Sequence, residues 1–177
     1  SRESIVLLKN DKNILPLDAS GIQKIAVCGP NADEHSYALT HYGPLAVEVT
    51  SVLKGIQEKM KGKAEVLYTK GCDLVDTNWP ESELIDYPLT DEEQKEIEKA
   101  VDQTKQADVA VVVLGGGQRT CGENKSRSSL DLPGRQLDLL KAVAATGKPV
   151  VLVLINGRPL SINWADKFVP AIVEAWY

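Results

Sequence analysis

Short apolar runs alternate with longer amphipathic ones along most of this chain, and that rhythm predicts strands alternating with helices. Lys24, Ile25, Ala26, Val27 and Cys28 lead into Gly29-Pro30 and read as a buried strand ending in a turn. Between Thr50 and Met60 the apolar residues Val52, Leu53, Ile56 and Met60 keep helical spacing, with a polar N-cap candidate ahead of them. Residues 64–68 read as a second strand. Thr90-Asp91-Glu92-Glu93 is a capping box that opens a helix running to about residue 106, with Ile97, Ala100 and Val101 on its inner face. Residues 108–114 are apolar almost throughout, the mark of a central parallel strand covered on both faces. Residues 133–145 form the next helix, with Pro133 in its first turn, followed by a buried strand over 148–155 and a last one over 171–176.

Strands alternating with helices imply a parallel, doubly wound sheet: an α/β fold of three layers, mostly parallel, with helices on both faces. Two long segments break the rhythm, residues 31–49 and residues 115–132. Both leave the carboxyl ends of strands, where open α/β sheets bind their ligands. Residues 72–88, holding Trp79 and several acids, read as an excursion over the surface. Trp164 and Trp176 stand in apolar surroundings and are expected in the core. Trp79 either seats against another domain or covers the sheet.

With 177 residues the chain suffices for one domain with a real core. Its 43 % hydrophobic and 25 % charged residues are ordinary for a soluble globular protein. A net charge of −5 argues against electrostatic binding of nucleic acid, which needs a basic face. No apolar run reaches the roughly eighteen residues that cross a membrane. No basic segment followed by an apolar stretch opens the chain, which starts at Ser1 and reads, at both ends, as cut from something longer. Cys28, Cys72 and Cys121 are widely spaced, without a CxxC pair, and His35 and His41 lie far along the chain from Cys121; free thiols are expected, and no metal site.

Candidate chemistry concentrates in the loop after residue 114. Glu123 is the one carboxylate in its central part, beside Lys125, Arg127 and several hydroxyls, a setting that suits proton transfer to a leaving oxygen. A loop glutamate is more often simply solvated. Asp131, between Leu130 and Leu132 just ahead of a helix, reads as an N-cap. Three places are open to Arg127: fixing Glu123, steadying the loop, or lying solvated at the surface. In the loop over 31–49, Tyr37, His41 and Tyr42 offer aromatic faces and an imidazole to a sugar, although Tyr42-Gly43-Pro44 also reads as a locally packed turn.

The order Glu-x-x-x-Arg-x-x-Leu-x-Leu-Pro-Gly-x-Gln, Glu123 to Gln136, resembles the signature of the second domain of family 3 glycoside hydrolases. The resemblance extends over nearly the whole chain. It takes in residues 3–10 with Leu15-Pro16-Leu17, then residues 25–32, residues 147–153, Asn156-Gly157-Arg158-Pro159-Leu160 and Ala175-Trp176-Tyr177. Such a resemblance implies an α/β sandwich domain of a retaining enzyme that acts on β-linked glucosides, xylosides or related sugars. Residues 1–20 would be a lead-in segment and residues 21–177 the sheet and helices. The domain would pack against an N-terminal (β/α)8-type domain carrying an aspartate nucleophile, which nothing in this chain matches. Glu123 matches the acid/base position, although Ser126 stands where many relatives carry Asp. His41, Tyr42 and Arg127 would be the substrate contacts. The substrate would be a β-linked oligosaccharide or glycoside, with no cofactor, and related enzymes are often periplasmic or secreted.

Two other readings remain open on the residues. Gly115-Gly116-Gly117 after a strand invites a nucleotide-binding domain, yet it makes neither GxGxxG nor a GK[ST] P-loop. A sugar-binding or structural module without catalysis would share the same fold. Bound NAD or ATP would favour the first, and sugar binding without hydrolysis the second.

Overall fold

A computed structural model describes residues 2–35 and 48–176. Six strands form one sheet: β1 (Ile5–Asn10), β2 (Lys24–Cys28), β3 (Glu65–Thr69), β4 (Val109–Gly115), β5 (Val150–Ile155) and β6 (Ala171–Ala175). The helices are α1 (Val52–Met60), α2 (Asp91–Gln106), α3 (Gln136–Ala144) and α4 (Asn163–Phe168). Strand order is β1-β6-β5-β4-β2-β3, with every pairing parallel except β1 against β6.

Alternation along the central strands sorts the core into two clusters. Ala110, Val112 and Leu114 of β4 join Ala26, Cys28, Leu152 and Leu154 beneath Ile97 and Ala100 of α2, Leu139, Leu140 and Val143 of α3, and Ala165 of α4. The intervening Val109, Val111 and Val113 join Ile25, Val27 and Val151 beneath Leu53 and Met60 of α1, together with Ile14, Leu15, Leu17 and Ile22. Residues burying side chains on both faces must be apolar at every position, which is why β4 reads as an unbroken run. The layers are uneven: three helices cover one face, while one helix and an irregular segment cover the other.

Helix starts follow local chemistry. At α2 the Thr90 hydroxyl accepts from the Glu93 N–H at 3.2 Å, and the Glu93 carboxylate accepts from the Thr90 N–H at 2.9 Å, completing the capping box. At α1 the cap is Ser51, whose hydroxyl accepts from Lys54 N–H and donates to Asp33 at 2.7 Å. The helix predicted from Pro133 starts three residues later, because Gly134 takes a left-handed φ of 57° and cannot be its second residue. Asp131 is consequently not its cap. The residue in that position is Arg135, and Asp131 instead bonds the Ser129 hydroxyl at 3.0 Å.

Two further expectations are corrected. Residues 5–10, placed in the lead-in segment, form the antiparallel edge strand β1, with a register shift between Leu7 and Lys9. Trp176 is 47 % exposed, since it follows the last paired residue of β6 and lies past the helices that cover the sheet. Trp164 does pack against the α2–α4 cluster, its ring 5.0 Å from that of Phe168.

Glycines end two of the inner strands. Gly29 (φ 109°) and Gly115 (φ 141°) each lie so close to the neighbouring strand that a Cβ would stand 2.0 Å from the carbonyl oxygen of Val113 or Ile155. Gly62 also has a left-handed φ, 74°, but opens onto free space. Gly62→Ala should therefore cost only the roughly 1–2 kcal/mol of a left-handed alanine. Gly115→Ala should cost at least about twice that, because it adds an overlap with backbone. Urea unfolding of the two variants tests this; equal shifts in midpoint would count against a steric role for Gly115.

Candidate active site

The chain leaves β2 for β3 on one side and returns to β4 on the other, so the sheet has its switch point between β2 and β4. A cavity of about 650 Å³ opens there, lined by Asn31 after β2, Lys70 and Asp73 after β3, and Gly116 to Arg119 after β4. The buried Asn31 amide donates to the Gly116 carbonyl at 2.7 Å and joins the wall after β2 to the wall after β4.

Glu123 stands beyond this cavity, exposed, at the tip of a turn closed by the Lys125 N–H and the Gly122 carbonyl at 3.2 Å. Left-handed Gly122 (φ 129°) and Asn124 (φ 57°) flank it and make the chain reverse sharply there. The turn is fastened on both sides. Upstream, the Thr120 and Cys121 N–H groups both bond the Gly117 carbonyl at 3.0 Å, and the Gly117 N–H donates to the Thr120 hydroxyl. Downstream, Arg158 donates to the Lys125 carbonyl at 2.9 Å, and the Ser161 N–H to that of Leu130 at 2.8 Å. Glu123 is thus an exposed carboxylate on a held loop.

Arg127 is a buried part of the same loop, its side chain 3 % exposed. Nε is 2.5 Å from the carboxylate of Glu83, Nη2 donates to the Asp131 carbonyl at 2.8 Å, and the guanidinium lies 5.3 Å from the centre of the Trp79 ring. Glu83 and Trp79 belong to the excursion over 72–88, which buttresses the loop. Burial by itself would raise the Glu83 carboxyl, but the Ser128 N–H, the Arg127 guanidinium and the Ser128 hydroxyl together hold it below its usual range. Lys125 is exposed.

The Leu-Pro-Gly-Arg-Gln run turns out to be a fastening. Gln136, fully buried, accepts from the Gly115 N–H at 2.8 Å and donates to the Gly115 carbonyl at 3.0 Å and the Leu74 carbonyl at 2.9 Å. Arg135 donates to the Tyr87 and Pro88 carbonyls and pairs with Glu93 at 3.2 Å. Gly134 lets the backbone of Val75 and Asp76 approach, where a Cβ would sit 2.7 Å from the Asp76 nitrogen. The three residues bind the start of α3 to the end of β4 and to the excursion.

Sequence patterns missed Glu83 and Glu174. The first pairs with a residue 44 positions away. The second lies inside the β6 run, 5 % exposed, in line with Leu154 of β5. Desolvation pushes the Glu174 carboxyl up to about 7, partly offset by the Asn156 amide beside it. Asn156 also donates to the Arg158 carbonyl at 2.7 Å, so this acid sits behind the residue that holds the Glu123 turn. Tyr37, His41 and Tyr42 lie outside the described residues. Cys28 and Cys72 are buried, with the Cys28 thiol pushed up to about 12 by desolvation, and all three cysteines are free. Among the described residues no cluster of three His, Cys, Asp or Glu is placed to hold a metal, and no helix is long and apolar enough to cross a membrane.

Fold and site together define an open α/β domain with an exposed carboxylate, Glu123, in a fastened loop that leaves the carboxyl edge of its sheet. The chain belongs to glycosyl hydrolase family 3: the model of the family's C-terminal domain matches residues 5–177. It is 41 % identical to a β-xylosidase of Formosa agariphila and 40 % identical to a periplasmic β-glucosidase of Salmonella typhimurium, in each case over its full length. It spans 23 % and 24 % of those proteins. Among solved structures, a β-glucosidase of Erythrobacter marinus matches 99 % of the chain at TM-score 0.81 and 35 % identity, with 25 % of its own length covered. A family 3 exo-β-xylosidase bound to a xylobiose aziridine probe matches at TM-score 0.81 and 29 % identity, covering 99 % of this chain and 20 % of that one.

Glu174 generates a test of pH dependence. Its carboxyl is raised from an ordinary value of 4.5 to about 7, so between those values the folded state keeps a proton that the unfolded state has lost. Stability from this group is fully present below the window, falls as pH rises through it, and levels off above about pH 7, a loss on the order of 3 kcal/mol. Glu174→Gln should flatten that slope and be more stable than the wild type at pH 8. Urea midpoints with the same pH dependence in both proteins would contradict the assignment.

Proposed function

We propose that this chain is the acid/base-bearing domain of a retaining β-glycosidase acting on terminal β-linked glucose- or xylose-type residues. The observation that carries the reading is Glu123: a solvent-facing carboxyl at the tip of a turn anchored on both sides, in the loop that leaves the carboxyl end of β4. The names of the relatives support the substrate class.

In a retaining mechanism two carboxyl groups face each other across the anomeric carbon, about 5–5.5 Å apart. One attacks the sugar. The other protonates the departing glycosidic oxygen, then takes a proton from the water that releases the sugar. Glu123 is assigned the second role, which requires access to the substrate and freedom from a permanent ion pair. The nucleophile, an aspartate, is assigned to a (β/α)8-type domain of the same protein outside these residues. An apolar neighbour also suits β1, where Ile5, Val6, Leu7 and Leu8 are all exposed in succession. Tyr42 and His41 are proposed as sugar contacts. Arg127, held by Glu83 and Trp79, serves the loop. The intact enzyme is assigned to the periplasm or the exterior, on the strength of the Salmonella relative's name.

In the complete protein, Glu123→Ala should slow hydrolysis of substrates with poor leaving groups by about 10²–10⁴-fold. Activated aryl glycosides should suffer far less, and azide should restore part of the rate by giving a glycosyl azide of retained configuration. Wild-type rates of Glu123→Ala on cellobiose and xylobiose would overturn the assignment. The 177 residues by themselves should fold without turnover. Measurable hydrolysis of aryl β-glucosides by them would mean that the nucleophile lies within this chain.

A further inference from the structure

Glu83 reaches the Glu123 loop from outside it. It closes the short 3-10 turn Glu81–Glu83 in the excursion over 72–88, and its side chain is 5 % exposed. Both carboxylate oxygens are engaged by consecutive residues of the loop. Oε1 takes Arg127 Nε at 2.5 Å, and Oε2 takes the Ser128 N–H and the Ser128 hydroxyl, each at 2.8 Å. Trp79, from the same excursion, covers the guanidinium.

A buried ion pair is a poor source of net stability, because the desolvation of two charges offsets most of their attraction. What such a pair supplies is geometry. Removing the carboxylate would strand the buried guanidinium, which regains a full partner only if the loop moves out toward water, and would release Ser128, whose exposed N–H and hydroxyl then turn to water. The gripped residues lie four and five positions after Glu123, with the Arg158 bond to the Lys125 carbonyl in between. With Glu83 gone, that one bond is the near anchor left on this side of the turn, and a shift at Arg127 reaches Glu123 through the short stretch of chain between them.

We infer that Glu83 is a positioning residue for the reaction: by gripping Arg127 and Ser128 together it sets where Glu123 stands relative to the departing glycosidic oxygen. The inference rests on the acid/base reading of Glu123. It has a particular consequence, because a misplaced acid hurts only those substrates whose leaving group needs a proton. Loss of Glu83 should resemble a partial loss of Glu123, not a general loss of folded enzyme.

The test uses the complete protein and two aryl β-glycosides of the sugar that it cleaves best, one with phenol and one with 2,4-dinitrophenol as leaving group. Glu83→Gln should lower kcat/KM on the phenyl glycoside by about tenfold or more, and on the dinitrophenyl glycoside by less than about threefold. Added to Glu123→Ala, the same change should alter the phenyl rate by less than about threefold, since the group it places is gone. Equal losses on both substrates, or an undiminished tenfold loss in the Glu123→Ala background, would make Glu83 merely structural and overturn the inference. If Glu83→Gln does not fold, Ser128→Ala, which removes one of the three donors, replaces it. That variant should lose about threefold on the phenyl glycoside alone, and an equal loss on both substrates, or none on either, counts against the inference. An unaltered ratio in Glu83→Gln beside a crippled Glu123→Ala sinks this inference only, whereas an unimpaired Glu123→Ala sinks the acid/base reading.

Discussion

The Gln136 side-chain amide holds three parts of this domain at once. It replaces a missing backbone partner at the end of β4 by satisfying both the N–H and the carbonyl of Gly115, and with its remaining N–H it takes the Leu74 carbonyl. Those groups lie where a parallel strand stops and its ladder of hydrogen bonds runs out. A buried strand end without partners costs about 1–3 kcal/mol per orphaned group. Because the clamp sits at the first residue of α3, the helix, the strand end and the excursion over 72–88 take up their positions together, and the loop from 116 to 135 is closed at both ends.

Around the clamp the loop is held mainly by buried polar groups. The buried Arg135, Arg127 and Asn31 and the half-buried Arg158 all donate to backbone carbonyls, and Arg127 and Arg135 also pair with a carboxylate, which fixes angles as well as distances. Apolar packing would hold the segment just as firmly but would tolerate sliding, whereas hydrogen bonds between buried groups have few equivalent arrangements. The outcome suits the role proposed for Glu123, which asks for an accessible tip in a fixed position. Among the described residues Glu123 has no partner of its own, and the residues on either side of it carry the restraint.

The sheet contributes rigidity beneath this edge. Alternating side chains of β2, β4 and β5 feed two separate cores, so no central strand has a solvent face along which to slip register. Gly29 and Gly115 then allow the chain to leave the sheet against its neighbours without widening it.

Much of this was legible along the chain. The apolar runs at 24–28, 109–115 and 150–155 and the capping box at Thr90 depend only on neighbouring residues, and each became the predicted element because local preference and burial agree there. The antiparallel edge strand β1 was not legible, since its apolar residues stay exposed and its one partner, β6, lies at the far end of the chain. The helix start was misplaced because a proline marks a first turn only if the next residue is right-handed, and Gly134 is left-handed, with the backbone of Val75 and Asp76 close against it. At the candidate site, the sequence by itself determined which carboxylate sits in the loop and which residues surround it. Only the tertiary structure decided that Arg127 belongs to Glu83, that Gln136 closes the end of a strand and that Glu174 is buried. Each of those depends on partners some 20 to 60 residues distant or on the sheet's full depth, and no periodicity of a single segment encodes a contact between two of them.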